Sequence, residues 1–400
     1  MTATLIFLGT YLVLAVGRIP GLRVDRTGAA IIGASLMVAA NVLTLGEAYR
    51  AIDMNTIVLL FGMMIVVAHL RLSGFFAVVS EWVVAHARHP LAMLAAVAVV
   101  AGVLSAFFVN DTVCLVLAPL VAETTSALRR NPMPYLLAVA MASNLGSVAT
   151  LTGNPQNMLI GSFSSIPYTS FARSLAPVAA LGIAVCIAIL AALYRREFHG
   201  GSVTRLAPRA TPVDRVLLAK SLIISGAMVV FFFLGWPIAE VAIAGGAVLL
   251  LISRNVHPED VYKQVDWALL VMFAGLFIVV AGAEKSRLEQ NLVAVAERSG
   301  LDNGAVFTAS AAVLSNLVSN VPAVLVFKPL IAHLSNPALA WLRLAMASTL
   351  AGNLTILGSV ANLIVVEKSR PVVAIGFWEY FRAGLPVTLI TLAIGVWLLS

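Results

Sequence analysis

The 400-residue sequence predicts an all-α polytopic membrane protein: two inverted repeats, about ten transmembrane helices, two re-entrant hairpins and two broken helices. Three observations carry this. The chain is 61% hydrophobic and only 11% charged, where soluble domains run nearer a quarter charged, so its main solvent is lipid. Apolar runs of about 17–20 residues recur from end to end, long enough to cross about 30 Å of hydrocarbon as helices. They lack the period-2 alternation of an outer-membrane barrel. Finally, the same polar interruptions return in the same order in each half.

In chain order the predicted spans are 2–17, 28–45, 54–70, 133–165 (interrupted), 174–194, 216–235, 237–253, 266–283, 341–366 (interrupted) and 381–399. The opening "MTATLIFLGTYLVLAVGR" has no basic leader and reads as a retained helix rather than a signal peptide. Two more apolar stretches, 91–121 and 305–333, carry the polar kinks "FFVNDT" and "LVSNVP". Each is too long for one straight span, and two crossings with a turn need about forty residues. They fit hairpins that dip in and return to the same side. Broken backbone at that depth survives only where protein buries it or a wet cavity meets it.

Charge tests the count. With the N- and C-termini outside, eighteen of the 25 Lys and Arg fall in cytoplasmic loops. Six (Arg50, Arg173, Lys285, Arg287, Arg298 and Arg343) fall outside, and Lys328 lies within the membrane. That three-to-one bias sets an inner (plasma) membrane orientation. The net charge of +7 is therefore scattered over loops and does not mark a nucleic-acid surface. Cys114 and Cys186 lie in apolar runs without metal-ligand spacing and read as packing residues.

The repeat fixes the domains. "IDMNTIVLLFGMMIVVA" (52–68) aligns with "VDWALLVMFAGLFIVVA" (265–281), pairing Gly62 with Gly275. "SAFFVNDTVCLVLAPLV" (105–121) aligns with "SNLVSNVPAVLVFKPLI" (315–331), pairing Asn110 with Asn320. "ASNLGSVATLTGNPQNMLI" (142–160) aligns with "ASTLAGNLTILGSVANLIV" (347–365), pairing Gly153 with Gly358 and Asn157 with Asn362. The first repeat takes 1–200, a cytoplasmic linker 201–215 and the second repeat 216–400. Five crossings per half invert the second relative to the first. Paired broken helices in inverted repeats are the pattern of a secondary transporter with its site near the midplane.

Four polar clusters are the candidate substrate and ion site. The first tip gives Asn110, Asp111 and Thr112; the first break gives Thr152, Gly153, Asn154, Gln156 and Asn157. The second tip gives Ser319, Asn320 and Pro322; the second break gives Gly358, Ser359 and Asn362. Glycine permits unwound backbone, Pro155 forbids the bond that would close it, and amides and hydroxyls replace a hydration shell. Ser147, Thr150 and Ser348 divide evenly between packing and function. Asp53 and Asp266 read as N-caps, and His69, His86 and His89 as interfacial. The stretch 286–300 reads as an interfacial amphipathic helix.

Asp111 and Lys328 resist such accounts, since a charge near the midplane costs about 2.5–3.5 kcal/mol or more. Asp111 is assigned the coupling proton or a contact to the coupling cation. Lys328 is assigned the role of an internal cation or an attractor of anionic substrate, the alternative being a structural Asp111–Lys328 pair.

"VNDTVCLVLAPLV", "ATLTGNPQNMLIG", "SNVPAVLVFKPLI" and "LTILGSVANLIVVEKSR" resemble the ion transporter superfamily over nearly all 400 residues. The chain is similar to the branch of ArsB-type arsenite permeases, NhaD-type sodium/proton antiporters, the melanosomal P protein and plant silicon-efflux carriers. Divalent anion/sodium symporters are more distant. The resemblance implies a scaffold domain that forms a homodimer in the bilayer and an elevator-like transport domain holding both hairpins. Dicarboxylate carriers read Ser-Asn-Thr at each tip, gripping carboxylates and helping form two sodium sites. Asn110-Asp111-Thr112 and Asn320-Val321-Pro322 depart from that, leaving one Na⁺ site near Asn110, Thr152, Asn154 and Asn157.

The function expected is a non-enzymatic secondary carrier without cofactor, coupled to H⁺ or Na⁺, moving a small inorganic anion or oxyanion such as arsenite. The alternatives are a sodium/proton antiporter, a sodium-coupled di/tricarboxylate symporter and a channel. No phosphate-binding loop is present, so ATP would enter only through a separate ATPase subunit.

Overall fold

The computed structural model describes residues 2–17, 24–86, 89–199, 213–286 and 300–400. Most of the linker 201–215 and of the interfacial stretch 286–300, with the side chain of His86, lie outside them. The described residues are helical, with no strand among them.

In the first half, α1 (Thr2–Val16), α2 (Arg26–Ala39), the short α3 (Leu45–Ala51) and α4 (Met54–Leu72) are followed by α5 (Phe75–His86). A hairpin of α6 (Pro90–Phe107) and α7 (Asn110–Ala127) leads into α8 (Pro132–Ser147), a break, α9 (Pro155–Ser164) and α10 (Tyr168–Leu193). After α11 (Arg195–Phe198) the second half has α12 (Arg215–Phe233), α13 (Ile238–Ile252), α14 (Pro258–Tyr262) and α15 (Trp267–Glu284). Its hairpin is α16 (Gly304–Val318) and α17 (Asn320–Ile331); its broken helix is α18 (Pro337–Ala351) and α19 (Val360–Ser369), and α20 (Phe377–Leu398) ends it. α4, α6, α10, α12, α15 and α20 are each long and apolar enough to cross a membrane. The sequence reading had no element at α5, whose 12 residues are too few to cross one.

Short polar side chains start many of these helices. Asp53 Oδ1 accepts from Asn55 N, Asp266 from Leu269 N, Asn131 from Met133 N and Asn303 from Ala305 N. Each satisfies a backbone donor that the first helical turn leaves without a partner.

The same packing appears in both halves. α2 lies against α15, and α13 against α4, so each half's second helix packs on the other half's helix before the hairpin. Glycine makes both crossings possible: a Cβ on Gly62 would sit 2.5 Å from Ala242 backbone, and one on Gly275 would sit 2.8 Å from Ala30 backbone. α1 and α12 flank these pairs. Hairpins, broken helices, α10 and α20 form the other layer, where α6 packs on α8 and α16 on α18.

Loop contacts sort into two faces. On one, Arg71 donates to Gln264, Thr27 to Ala268 O and Tyr135 to both Glu197 and Pro90 O. On the other, Lys285 pairs with Glu47, Ser335 N donates to Asp302, and Arg343 to Leu399 O. The α6–α7 hairpin has both ends at the first face and the α16–α17 hairpin both ends at the second. His69 differs from its interfacial reading: it is fully buried in α4, with Nδ1 2.8 Å from Ile65 O.

Candidate functional site

The two breaks are built alike. In the first, Asn157 Nδ2 donates to Ser147 O (3.0 Å) and Thr150 O (2.9 Å), carbonyls freed when the helix opens. In the second, Asn362 Nδ2 donates to Gly352 O (2.7 Å) and Thr355 O (3.0 Å), each partner 205 positions further on. A Cβ on Gly153 would lie 2.3 Å from Ser147 O, and one on Gly358 2.8 Å from Gly352 O. Asn154 caps α9 by accepting from Asn157 N at 2.8 Å, behind which Pro155 occupies the first turn.

The second arm of each hairpin packs on the opposite half, α7 on α19 and α17 on α9. At the first tip Asn110 N donates to Gly153 O (3.0 Å), and Asn110 Nδ2 to Asn144 Oδ1 (3.0 Å). Asn144 Nδ2 donates onward to Asn353 Oδ1 (2.9 Å) and Asn362 Oδ1 (3.0 Å), and its Oδ1 also accepts from Ser359 Oγ (3.1 Å). On the other side Thr349 Oγ1 accepts from Gln156 Nε2 (3.0 Å) and Asn154 Nδ2 (3.3 Å). Asn320, its amide assigned by its partners, donates to Ser348 O and Gly358 O and accepts from Gln156 Nε2, each at 3.2 Å. Thr152 Oγ1 meets Tyr168 OH at 2.9 Å.

Thus Asn110, Asn154, Gln156, Asn157, Asn320, Gly358, Ser359 and Asn362 converge on one buried network. Within it the Oδ1 atoms of Asn110 and Asn157, residues 3% and 0% exposed, have no protein partner. Amide oxygens left bare in a buried site fit a hard cation such as Na⁺.

Other predicted residues stand apart. Ser319 makes the second tip's turn through a left-handed φ of +82° and gives no side-chain cap. Thr112 and Asp111 are both half-buried. Lys328 requires a correction: it pairs with Glu284 (3.1 Å) and lies 4.8 Å from the Phe163 ring centre, not beside Asp111. It sits eight residues beyond Asn320, about 12 Å along the helix, so it is not a cation at the tip. Asp111 instead accepts from Ala361 N–H at the start of α19, with Asp266 as its charged neighbour.

Sequence reasoning missed Asn144, Thr349 and Asn353. A lone amide inside the apolar run "LAVAMASNLGS" was the available signal for Asn144, because an unpartnered amide is costly in hydrocarbon.

The sequence pattern of the citrate transporter family matches residues 11–351. The chain is 30% identical over 462 residues to the silicon efflux transporter LSI3 of Oryza sativa subsp. japonica, covering 97% of this chain and 95% of that one. It is 30% identical over 426 residues to a 46 kDa membrane protein of Mycobacterium leprae, covering 99% and 97%. An arsB-named transporter of Dictyostelium discoideum is 24% identical, covering 94% and 87%. Among solved structures, the Alcanivorax borkumensis YdaH transporter superposes with a TM-score of 0.64 at 16% identity, covering 100% and 98%. Neisseria gonorrhoeae MtrF gives 0.63 at 13%, covering 99% and 93%. These two likenesses concern the fold.

Proposed function

Because this membrane protein belongs to the citrate transporter family, we propose that it is a secondary active carrier for a small inorganic oxyacid such as arsenite, coupled to H⁺ or Na⁺. One observation carries the reading: two tips and two breaks from opposite halves meet in one network, and only one side of it is open. Leu357 and Val360 of the second break are 63% and 43% exposed, whereas Thr152 and Pro155 at the matching positions of the first are buried. Tyr11 OH of α1 donates to Pro322 O, covering the second tip.

In this reading the two halves are inverted repeats. Hairpins and broken helices move as a transport domain against a dimeric scaffold, elevator fashion, presenting the site to each aqueous phase in turn. The face bearing Arg71 and Gln264 is cytoplasmic, in a plasma membrane, with both termini outside. No ATPase is required.

The ionisable residue at the tips is Asp111, and the rest of the network is neutral. A tricarboxylate would meet an acid where it needs compensating charge, which argues against citrate. An oxyacid entering in its neutral, hydroxyl-bearing form matches amide and hydroxyl partners. A second reading, a sodium/proton antiporter, is favoured by Asp111 standing opposite Val321 in the other tip. Proteoliposomes decide. Uptake of labelled arsenite or silicate driven by a pH or Na⁺ gradient supports the carrier, and Na⁺/H⁺ exchange without any solute supports the antiporter. Solute flux indifferent to both gradients overturns the carrier, and absence of Na⁺/H⁺ exchange overturns the antiporter.

A further inference from the structure

Among the ion pairs of the described residues, Lys285–Glu47 joins α15 to α3, and Arg130–Glu197 joins the end of the first hairpin to α11, each within one layer. Lys328–Glu284, at 3.1 Å, joins the two layers: Lys328 lies in α17 of the second hairpin, and Glu284 is the last residue of α15. The helix dipole disfavours a carboxylate at a C-terminal end, so Glu284 gains nothing from its own helix and meets its cation across the layers. The two side chains are 35% and 29% exposed, so water screens the pair and it parts easily, unlike a buried joint. Once parted, Lys328 keeps the Phe163 ring 4.8 Å away on α9, a helix of its own layer. Phe163 in turn meets Phe277, which shares a face of α15 with Glu284, at 6.3 Å between ring centres.

The pair lies on the face of the covered tip. Lys328 stands six residues beyond Pro322, about 9 Å along the same helix, and Pro322 O accepts from Tyr11 OH of α1. α17 also packs on α15, so uncovering the tip parts Lys328 from Glu284. The first half has no such pair. By the repeat alignment Ala118 stands where the second half has Lys328, and Arg71 where it has Glu284. Ala118 is fully buried, and Arg71 donates to Gln264. In inverted repeats the two end states exchange the roles of the halves, so a contact made by one half alone biases the equilibrium between them.

We infer that Lys328 and Glu284 form a one-sided latch, which makes the state with the covered second tip the resting state and opens in every transport cycle. The inference rests on the carrier reading and deepens it by assigning the side on which the carrier rests.

Val321, 7% exposed at the covered tip, and Leu357, 63% exposed in the second break, report the two states. Val321→Cys and Leu357→Cys are made separately in the full chain and labelled in detergent with a water-soluble maleimide. The chain without either replacement, whose Cys114 and Cys186 are buried, is the blank. Adding Glu284→Gln or Lys328→Met should speed labelling of Val321→Cys by about twofold to fivefold, the range for a half-exposed pair, without speeding that of Leu357→Cys. Glu284→Gln with Lys328→Met should add nothing beyond either alone, and the exchange Glu284→Lys with Lys328→Glu should return the original rate. In proteoliposomes, joining Glu284→Cys to Lys328→Cys with a short reducible bis-methanethiosulfonate should stop solute flux, and reduction should restore it.

Unchanged labelling of Val321→Cys in both single variants overturns the inference. So does a rise at both reporters, which marks general loosening, an exchange that leaves the rate raised, or flux that continues while the two positions are joined. Absence of gradient-driven flux from the wild type overturns the carrier reading alone, because labelling reads the latch without solute.

Discussion

The two hairpin tips are built from matched segments yet sit in different surroundings. The first tip, Asn110-Asp111-Thr112, is half-open beside the exposed Leu357 and Val360. The second, Asn320-Val321-Pro322, is buried beneath α1, where Tyr11 OH reaches Pro322 O at 3.2 Å. The acid stands at the less covered tip, and valine and proline fill the tip that meets protein. Sequence chemistry and environment agree, as expected of a site whose two sides do different work.

Four experiments break or sharpen that contrast. The largest effect is expected from Asp111→Asn. If the open tip carries the coupling charge, gradient-driven flux falls by about a hundredfold, about 2.7 kcal/mol. Retention of full, pH-dependent flux would remove Asp111 from coupling. Next, single cysteines at Leu357 and Thr152, matched positions in the two breaks, should react with a membrane-impermeant maleimide at rates differing by about tenfold or more. Equal rates would mean that the buried half opens as readily as the exposed one.

Third, Gly153→Ala should destabilise more than Gly358→Ala, both costing within the range of about 1–3 kcal/mol seen for overpacking. The new Cβ at 153 meets Ser147 backbone at 2.3 and 2.7 Å, whereas at 358 the contacts begin at 2.8 Å and include the movable Asn316 side chain. Melting temperatures in detergent would reveal a reversed order. The smallest effect concerns the ion pairs at the face beside the covered tip. Lys285, with Thr44, holds the exposed Glu47 carboxyl down at about 2. A carboxyl lowered on folding adds stability above its unfolded value, lost as pH falls from about 4.5 toward 2. Glu47→Gln should therefore slightly reduce the melting temperature at pH 6 and leave it unchanged at pH 2; equal shifts at both would detach the effect from this pair. Glu284→Gln, which frees the half-exposed Lys328, belongs to the same modest class.

Much of the site was legible in one dimension. "LTGNPQN" and "LGSVAN" announce unwound helices because glycine, proline and an N-cap cannot coexist with an unbroken hydrogen-bond ladder. The partners of Asn157 and Asn362 follow from the same spacing, since each amide folds back on carbonyls seven and ten residues earlier. Lys328 was misplaced because burial within an apolar run says nothing of which helix lies alongside. Its partner Glu284 is 44 residues away.

By itself, then, the sequence determined the all-helical class, the order of spans and hairpins, and the location of the breaks, because these depend on local hydropathy, glycine, proline and capping. Tertiary structure alone decided that each hairpin's second arm packs on the other half's broken helix, that Asn144 faces Asn362 across 218 residues, and that one tip is more covered than its twin. Side-chain partners so distant in the chain are chosen by how the helices pack, and no local pattern records that choice.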